Sequence, residues 1–442
     1  MIDGSMLEGG GQILRYSAAL AAVTGQAVGV ERVRAKRTRP GLQPQHLTAL
    51  RLVEELCGGQ LEGGAVGSSH IVLRPGLPRV GGSHVADTKT AGSCTLMVQA
   101  AMPVCVFARP HADTEHADGA TTTCGATAAT TMTRLELRGG TDADLAPPGG
   151  YLQEVLVPLL TRLYGPLLEG LSVSTVRRGF YPRGGGVVAA TIPALPPGVP
   201  LPPFDLTRRG SITQVTVKAF SAGRVPTSVA SRLAAAAESA LRRALRKLPN
   251  GAAGPPPILV QATVETPESA FGDGCGVLVY ADTDSGCRLG ASAKGERGVP
   301  AEEVGERAAA ELVEALEAGT CVDQWMQDQL IIWMALGGGV SRMVCAEPTL
   351  HTRTAMVVAE QLLPGVKFTL TRPAGAVAGA VAGEAAAVEV EGPKAEKEKK
   401  GGGKKEGGGS GDASSGLWLI ECRGAGWTVG RQLASPEEEV KG

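Results

Sequence analysis

The sequence predicts an α/β fold with more than one domain, and two observations support this prediction. Segments with apolar residues at helical spacing alternate with short strand-like apolar runs from one end of the chain to the other. The chain has 442 residues, more than one ordinary core holds, and 43% of them are hydrophobic. Only 3% are aromatic, so we expect cores built mainly from Ala, Val and Leu.

The N-terminal part reads as alternating helices and strands. Residues 12–25 are predicted to form a helix that Gly25 closes, and residues 26–35 the strand that follows. The run 91–107 is apolar nearly all round, which indicates a buried helix. Further elements are predicted at 44–59 (helix), 69–76 (strand) and 149–165 (helix).

A Pro-rich connection follows and marks a candidate domain boundary. Four strand-like runs and two helix-like runs come next, and they predict a smaller domain at 189–319. The chain then returns to its first pattern, so 1–188 and 320–442 are predicted to be two parts of one larger domain.

Two segments of biased composition read as insertions. Residues 110–133 are small, polar and low in complexity, and we expect a surface insertion there; His111 and His116 lie in it without another ligand at fixed spacing. Residues 373–416 combine charge runs with Gly and Ala and fit a disordered linker, which would swell a hairpin loop between two strands. Its Lys-rich part is typical of a nuclear-import signal or an RNA-attracting tail.

Composition also limits the function classes. The net charge is −1, so binding to nucleic acid would need a local basic patch. Nine cysteines occur without CxxC spacing, which favours a reducing compartment over a zinc site or a disulfide framework. The acidic, Gly-rich N-terminus does not resemble a signal peptide, and no apolar run is long enough to predict a membrane span.

The first candidate site is Glu8 with the three glycines that follow it. Backbone N–H groups of a glycine run at a helix start converge on anions, and Glu8 could hold a divalent cation against phosphates. The alternative is a tight turn with a surface carboxylate. A basic strip follows at 32–39, and its guanidinium groups could bind phosphate or form a solvated strand surface. In an extended strand Arg34 would lie on one side and Arg37 on the other.

Two further candidates lie near the C-terminus. Trp325, Asp328 and Gln329 share one face of a predicted helix, which would suit a nucleobase and its ribose. His351 stands just before a predicted helix that Thr352 would cap, where a neutral imidazole could attack phosphorus. A tryptophan on such a helix is more often part of a core, and a lone histidine at such a junction is more often structural.

Taken together, the segments resemble the RNA 3′-terminal phosphate cyclases, and their motif sequences are closer to the eukaryotic members than to the bacterial ones. The match runs in order through seven motifs: DGSMLEGGGQILR, RPGLQPQHL, ADTKTAGSCTLMVQ, LRGGTDADLAPP, RRGFYPRGGG, DQLIIWMALGGGVSR and TLHTRTA. The smaller domain adds AFSAGRVP and SAFGDGCG. The resemblance implies an α/β (α+β) catalytic domain of repeated units, each a four-stranded sheet with two helices, interrupted by a smaller α/β insert domain.

The resemblance also implies the reaction. A histidine attacks the α-phosphorus of ATP, and the AMP passes to an RNA 3′-phosphate; the neighbouring 2′-oxygen then closes a 2′,3′-cyclic phosphate. Arginines and a divalent metal, Mg²⁺ or Mn²⁺, would neutralise phosphate charge. The implied partner is RNA with a 3′-terminal phosphate, with no membrane and no obligate protein partner, and the implied location is the nucleus (nucleoplasm), with the cytoplasm as the alternative.

By the same resemblance, residues of this chain take the family's roles. His351 is the nucleophile, Glu8 the metal ligand, and the ATP or AMP contacts are Gln99, Pro147, Trp325, Asp328 and Gln329. The positions matching the phosphate-binding region are Arg15, Arg34, Arg37 and Gln45. One departure is Trp325, where the family usually has Tyr; a flat ring is kept but a phenol hydroxyl is lost.

Three other functions remain open at this point. Cyclase-like ribosome-assembly proteins share the fold but lack the nucleophilic histidine, so His351 argues against them. A catalytically inactive protein that binds RNA ends is the second. An enolpyruvyl-transferase-like enzyme is the third; it shares the repeated architecture but would not need this histidine.

Overall fold

The computed structural model describes residues 1–110, 132–248, 254–372, 386–388 and 416–431. Mixed sheets carry helices along the whole described chain, which confirms the mixed α/β class predicted from the sequence. The expected insertions lie outside the described residues for the most part, and His111 and His116 are among those not described. In the described part, no helix combines the length and the apolar character needed to cross a membrane.

The first unit forms one four-stranded sheet with two helices. In chain order it consists of β1 (Ile2–Asp3), α1 (Gly11–Thr24), β2 (Val28–Glu31), α2 (Pro44–Cys57), β3 (Gln60–Glu62) and β4 (Ile71–Arg74). The sheet order is β1-β2-β4-β3, with β1 parallel to β2 and β4 antiparallel to both of its neighbours. The helix α1 ends at Gly25, which adopts a left-handed conformation with φ of 75°.

The second unit repeats this arrangement. It consists of β5 (Ser83–Asp87), α3 (Cys94–Val106), β6 (Met132–Gly139), α4 (Gly149–Tyr151), α5 (Val157–Tyr164), β7 (Ser172–Gly179) and β8 (Gly186–Pro193). A π-helical turn, Leu152–Leu156, joins α4 to α5. The strands follow the order β5-β6-β8-β7 with the same relative directions as in the first sheet.

The third unit repeats the topology but is interrupted after its first strand. The strand β9 (Asp205–Leu206) is followed by a segment with its own sheet, which consists of β10 (Ile212–Ala222), α6 (Ser228–Leu245), β11 (Ile258–Val264), β12 (Ala270–Phe271), β13 (Gly274–Thr283), β14 (Arg288–Lys294) and α7 (Ala301–Ala318). In this segment β11, β10, β13 and β14 form a four-stranded sheet, while β12 joins the second unit beside β7. We call it the insert segment.

The rest of the third unit follows the insert segment. It consists of α8 (Gln324–Leu336), β15 (Val340–Cys345), α9 (Leu350–Leu362), β16 (Lys367–Arg372), β17 (Ala386–Val388) and β18 (Trp418–Arg423). The sheet order β9-β15-β18-β16 matches the other two units. The predicted pairing across residues 373–416 is confirmed, because β16 and β18 are antiparallel neighbours. A strand, β17, pairs with β16 inside the stretch expected to be disordered.

The boundary expected between residues 188 and 189 falls inside β8, which belongs to the second sheet through Pro193. Glycines come directly before β8, and prolines come directly after it. Because both are turn residues, the predicted domain boundary fell within β8 and not after its end. In terms of sheets, the insert segment begins at Ile212.

Helices from all three units share one core. The helix α1 packs against α3 and α9, and α8 packs against α9 and α3. The buried helix predicted at 91–107 is confirmed as α3, whose residues are nearly all buried because they face neighbours on every side. Each buried Leu or Ile in these helices contributes about 1.5–3 kcal/mol relative to exposure. This packing brings the beginnings of α1, α8 and α9 close together.

Candidate active site

His351 lies in the first turn of α9. The helix begins at Leu350, because the Thr349 hydroxyl caps it and accepts a hydrogen bond from the Thr352 N–H at 3.1 Å. The expectation that Thr352 is the cap is therefore wrong by three positions. Two threonines near the turn could each cap a helix, and only the backbone conformation decides between them. The His351 side chain is 43% exposed.

The Nδ1 atom of His351 faces two oxygens from the first unit. Glu8 Oε2 lies 2.9 Å away and Gln12 Oε1 lies 3.2 Å away. The amide nitrogen of Gln12 donates to Asp328 Oδ2 at 2.9 Å. Because an ionised carboxylate only accepts hydrogen bonds, the Gln12 oxygen must turn toward His351, and Nδ1 must carry the proton. In the neutral imidazole, Nε2 then keeps its lone pair.

Glu8 is held between positive groups at the start of α1. Its Oε1 atom forms an ion pair with Arg37. A Cβ at Gly10 would lie 2.4 Å from that same oxygen, so only glycine lets the carboxylate lie over the helix start. Burial alone would raise the pKa of Glu8, but His351, Arg37 and Arg15 together outweigh it and lower the pKa. In return, the contact with Glu8 raises the pKa of His351 despite its burial.

Asp328 joins three helices behind His351. Its carboxylate accepts from Gln12 on α1 and, at 3.4 Å, from Gln99 on α3. Arg15 donates to the Gln99 oxygen at 3.1 Å, which fixes the direction of that amide too. Burial raises the pKa of Asp328, against the lowering effect of Gln12, His351 and Arg15. The cluster of Glu8, Gln12, Asp328 and His351, defined here as the histidine cluster, thus combines residues of the first and third units.

The basic strip does not form an extended strand. The strand β2 ends at Glu31, and residues 32–39 form turns in which Arg32 and Arg34 have φ of 51° and 54°. The predicted strand through residue 35 is therefore wrong, and the expectation of opposite sides for Arg34 and Arg37, which held only for an extended strand, does not apply. The Nε atoms of Arg34 and Arg37 are both buried and lack a hydrogen-bond partner among the described residues. Buried donors without partners suit an incoming anion such as phosphate.

Gln45 and His46 line a small cavity with Arg15. His46 is buried, and burial together with the charges of Arg15 and Arg34 lowers its pKa to about 3. It is therefore neutral at ordinary pH. Its Nδ1 accepts from the Gln43 N–H at 3.4 Å, so in the neutral ring its Nε2 carries the proton.

The predicted nucleobase face is divided between two places. Asp328 belongs to the histidine cluster, whereas half-buried Trp325 lines a cavity of about 370 Å³ between the second unit and the insert segment. Ala146 and Pro148 line the same cavity, while Pro147 between them is buried and its carbonyl accepts from Thr95 at 2.8 Å. Gln329 is buried on the same helix. Within the described chain, Trp325 Nε1 is buried without a partner, so a polar ligand atom could accept from it.

Comparison with known proteins agrees with this geometry. A family model described as RNA 3′-terminal phosphate cyclase matches residues 6–370. The chain belongs to the RNA 3′-terminal phosphate cyclase family. The match covers the second unit, the insert segment, most of the first and third units and every residue of the histidine cluster.

Curated relatives support the same family over most of their length. The chain is 38% identical over 391 residues to an RNA 3′-terminal phosphate cyclase of Pyrobaculum neutrophilum, covering 88% of this chain and 98% of the relative. It is 38% identical to one of Nitrosospira multiformis, covering 84% and 94%. It is 36% identical to a probable RNA 3′-terminal phosphate cyclase of Dictyostelium discoideum, covering 84% and 78%. These identities are similar for archaeal, bacterial and eukaryotic relatives, so identity alone does not single out a eukaryotic type.

Three residues of this cyclase were missed at the level of sequence. Gln12 ends the quoted EGGGQ run, but its role depends on Asp328, far away in the chain. His46 was missed because it lies within a predicted helix and shows no local signal of a functional role. Asp323 caps α8 and accepts at 2.9 Å from the N–H groups of both Trp325 and Met326. An Asp directly before a helix is the signal that could have found it.

Asp323 also connects the separate parts of the fold. The Tyr151 hydroxyl of the second unit donates to it at 2.7 Å, and the Gly290 N–H of the insert segment donates at 2.8 Å. Burial raises its pKa to about 6. Asp323 therefore fixes the first turn of α8, which carries Trp325, against both neighbours.

Proposed function

We propose that this cyclase uses ATP to convert an RNA 3′-terminal phosphate to a 2′,3′-cyclic phosphate through a covalent intermediate on His351. The observation that carries the proposal is the orientation of the imidazole. Gln12 and Glu8 hold the Nδ1 side, so the lone pair of Nε2 is directed away from the histidine cluster. A lone histidine with no such support would not favour one nitrogen over the other.

In the first step Nε2 would attack the α-phosphorus of ATP. An N–P bond forms, the bond from that phosphorus to the oxygen bridging to the β-phosphate breaks, and pyrophosphate leaves with the electron pair. Arg15, Arg34 and Arg37 are close enough to Glu8 for their charges to act on it, and in this proposal they neutralise phosphate charge. The oxygens of Gln12 and Glu8 stabilise the positive imidazole that results from attack.

In the later steps the AMP would move to the RNA. An oxygen of the RNA 3′-phosphate attacks the phosphorus on His351, the N–P bond breaks, and the imidazole is regenerated. The neighbouring 2′-oxygen then attacks the RNA phosphate, forms the cyclic ester and releases AMP. The proposed contacts for the adenosine are Trp325, Pro147, Asp328, Gln329 and Gln99.

Of the described residues of this site, Glu8 is the one that could coordinate a divalent cation, Mg²⁺ or Mn²⁺. The described residues contain no group of three or more His, Cys, Asp or Glu side chains that could hold a metal ion. Glu8 Oε2 is buried, and His351 Nδ1 at 2.9 Å is its one close partner in the described part of the chain, so it could act as a single carboxylate ligand. Mg²⁺ commonly binds one or two carboxylates together with substrate phosphates, and it would neutralise phosphate charge there.

The proposal is tested by incubating the protein with α-labelled ATP and magnesium, and then adding RNA that ends in a 3′-phosphate. We expect label on the protein first, and then label released as AMP as the cyclic end forms. A protein that takes no label would instead fit the cyclase-like ribosome-assembly proteins.

A further inference from the structure

Apart from Arg178, which lines the cavity at Trp325, the motif RRGFYPRGGG, residues 177–186, belongs neither to the histidine cluster nor to that cavity. It forms the end of β7, a tight turn and the start of β8. Four of its residues, Arg177, Arg183, Gly185 and Gly186, line an open groove of about 630 Å³, which Lys89 and Thr90 line as well. We propose that this groove binds the RNA strand just 5′ of its terminal phosphate, an inference that rests on the function proposed above.

The groove is built by a close fit between the second unit and the insert segment. Gly184 and Gly185 have φ of 70° and 75°. A Cβ at Gly185 would lie 2.2 Å from the Phe271 ring, and one at Gly184 would lie 2.3 Å from the Thr90 carbonyl oxygen. Because β12 pairs with β7, Phe271 is held beside the turn. The shape of the groove therefore does not depend on a loose loop.

Two arginines give the groove unneutralised positive charge. The guanidinium groups of Arg177 and Arg183 lie 5.8 and 4.9 Å from the centre of the Phe271 ring. Lys89 and Arg138, which also line the groove, are paired with Asp87 and Glu136. Among the described residues Arg177 and Arg183 form no ion pair, and Glu268 is the remaining carboxylate of the lining. Backbone phosphates of a nucleic acid would meet these two arginines.

Two exposed aromatic side chains belong to this region: Phe271 lies beside both arginines, and Tyr181 stands in the turn between them in the chain. Tyr181 is 81% exposed and Phe271 is 39% exposed. Exposed rings next to guanidinium planes are what proteins use to stack the bases of single-stranded RNA. An acidic peptide would also be attracted to Arg177 and Arg183, but it would leave the Tyr181 ring without a stacking partner. The combination favours single-stranded RNA.

The groove lies one loop away from the phosphate-binding residues. Thr90 contacts the glycine turn on one side of this loop, and Gly92 packs against Gln45 on the other, where a Cβ would lie 2.7 Å from the Gln45 Cβ. Gln45 in turn lines a cavity with Arg15. An RNA strand in the groove would cross this loop and present its 3′-phosphate to Arg15.

The test compares two double variants with the same loss of charge. One is Arg177→Ala with Arg183→Ala; the control is Arg243→Ala with Arg246→Ala, on the exposed face of α6. The substrates are a 3′-phosphorylated RNA of about ten nucleotides and a dinucleotide 3′-phosphate. We expect the groove variant to raise KM for the longer RNA about tenfold and to reduce the salt slope of its binding by about 1.4, since each single-strand phosphate contact contributes about 0.7.

Protein labelling from ATP and the reaction of the dinucleotide should stay unchanged in both double variants. A second variant, Tyr181→Ala, removes only an exposed ring and guards against misfolding of the first; it should weaken binding of the longer RNA about fivefold or more. Unchanged binding of the longer RNA, or equal losses for the longer RNA and the dinucleotide, would overturn the proposal.

A binding assay without ATP, with fluorescent RNA and with polyglutamate, distinguishes an RNA site from a site for an acidic protein partner. Loss of polyglutamate binding alone in the groove variant would assign the groove to an acidic protein partner and contradict an RNA site. If the wild type took no label from ATP, the proposed function would fail, yet this binding assay would still decide the role of the groove.

Discussion

The Nδ1 atom of His351 lies 2.9 Å from Oε2 of Glu8, although the two residues come from the third and the first unit. The contact places the proposed nucleophile directly against the proposed metal ligand. It also explains why neither residue could be assigned with certainty from its own neighbourhood in the chain. Five predictions follow from this arrangement and from the groups around it.

Replacing His351 by Ala should abolish transfer of label from α-labelled ATP to the protein, because no other group of the histidine cluster offers a free nitrogen lone pair. Exposed His70 gives a matched control, and His70→Ala should label like the wild type. Labelling is measured after denaturing electrophoresis. A His351→Ala protein that still becomes labelled would show that the nucleophile has been wrongly assigned.

Replacing Glu8 by Ala should reduce metal-dependent labelling much more than RNA binding, since Glu8 contacts His351 and the arginines but lies outside the RNA groove. Labelling is measured over a titration of magnesium, and RNA binding by fluorescence anisotropy. Equal losses in the two assays would instead indicate that Glu8 supports the fold at the start of α1.

Replacing Gln12 by Ala should slow labelling about 10- to 100-fold with little change in the KM for ATP, because the variant removes one of the two oxygens that hold Nδ1 of His351 and leaves only Glu8. Single-turnover labelling at saturating ATP gives the rate. The comparison is Gln12→Glu, which keeps an acceptor toward Nδ1 but brings a carboxylate against Asp328 and should not restore the wild-type rate. A large rise in KM with an unchanged rate would place Gln12 in ATP binding instead.

Replacing Trp325 by Ala should raise the KM for ATP about tenfold, which corresponds to about 1.4 kcal/mol of lost stacking. Trp325→Tyr should stay close to the wild type, because a flat ring is kept at the cavity. Both values come from labelling at varied ATP concentration. If Tyr behaves like Ala, the ring does not stack on the base, and the indole N–H carries the interaction.

His46 predicts a pH dependence of stability. Its pKa is about 3 in the folded protein and near 6.5 in an unfolded chain, so the unfolded state binds the proton first as the pH falls. The contribution of His46 to the free energy of unfolding is therefore fully present above about pH 6.5. It decreases toward pH 3 by up to about 1.4 kcal/mol per pH unit. Urea unfolding from pH 8 to pH 4.5 should show a smaller slope for His46→Gln than for the wild type. Equal slopes would mean that folding does not lower the pKa of His46.

Much of the fold was predictable because helical periodicity and glycine stops are local signals. The helix that ends at Gly25 and the buried helix α3 follow from such signals. The pairing of β16 with β18 follows from a different signal, the low-complexity stretch that separates two strand-like runs. The start of α9 was not predictable, because Thr349 and Thr352 compete as caps. The turns at Arg32 and Arg34 were missed because arginine rarely adopts positive φ.

The candidate site could be proposed residue by residue only through the family resemblance, and the roles of these residues stay predictions. Local pattern alone left His351 as a helix-start residue and Glu8 as a turn carboxylate. The contacts that give them a chemical role join α1, α3, α8 and α9, and no spacing in the sequence encodes them. Asp323 shows the same limit, since its partners Tyr151 and Gly290 come from other parts of the chain.

The three units share one topology, yet each supplies different members of the histidine cluster and its supports. The first gives Glu8 and Gln12, the second gives Gln99, and the third gives Asp328 and His351. A molecule in which one unit has not docked would lack part of the support for the imidazole. Covalent labelling would therefore count only fully assembled molecules, and in a refolding experiment its recovery would time the last docking event rather than the formation of any single sheet.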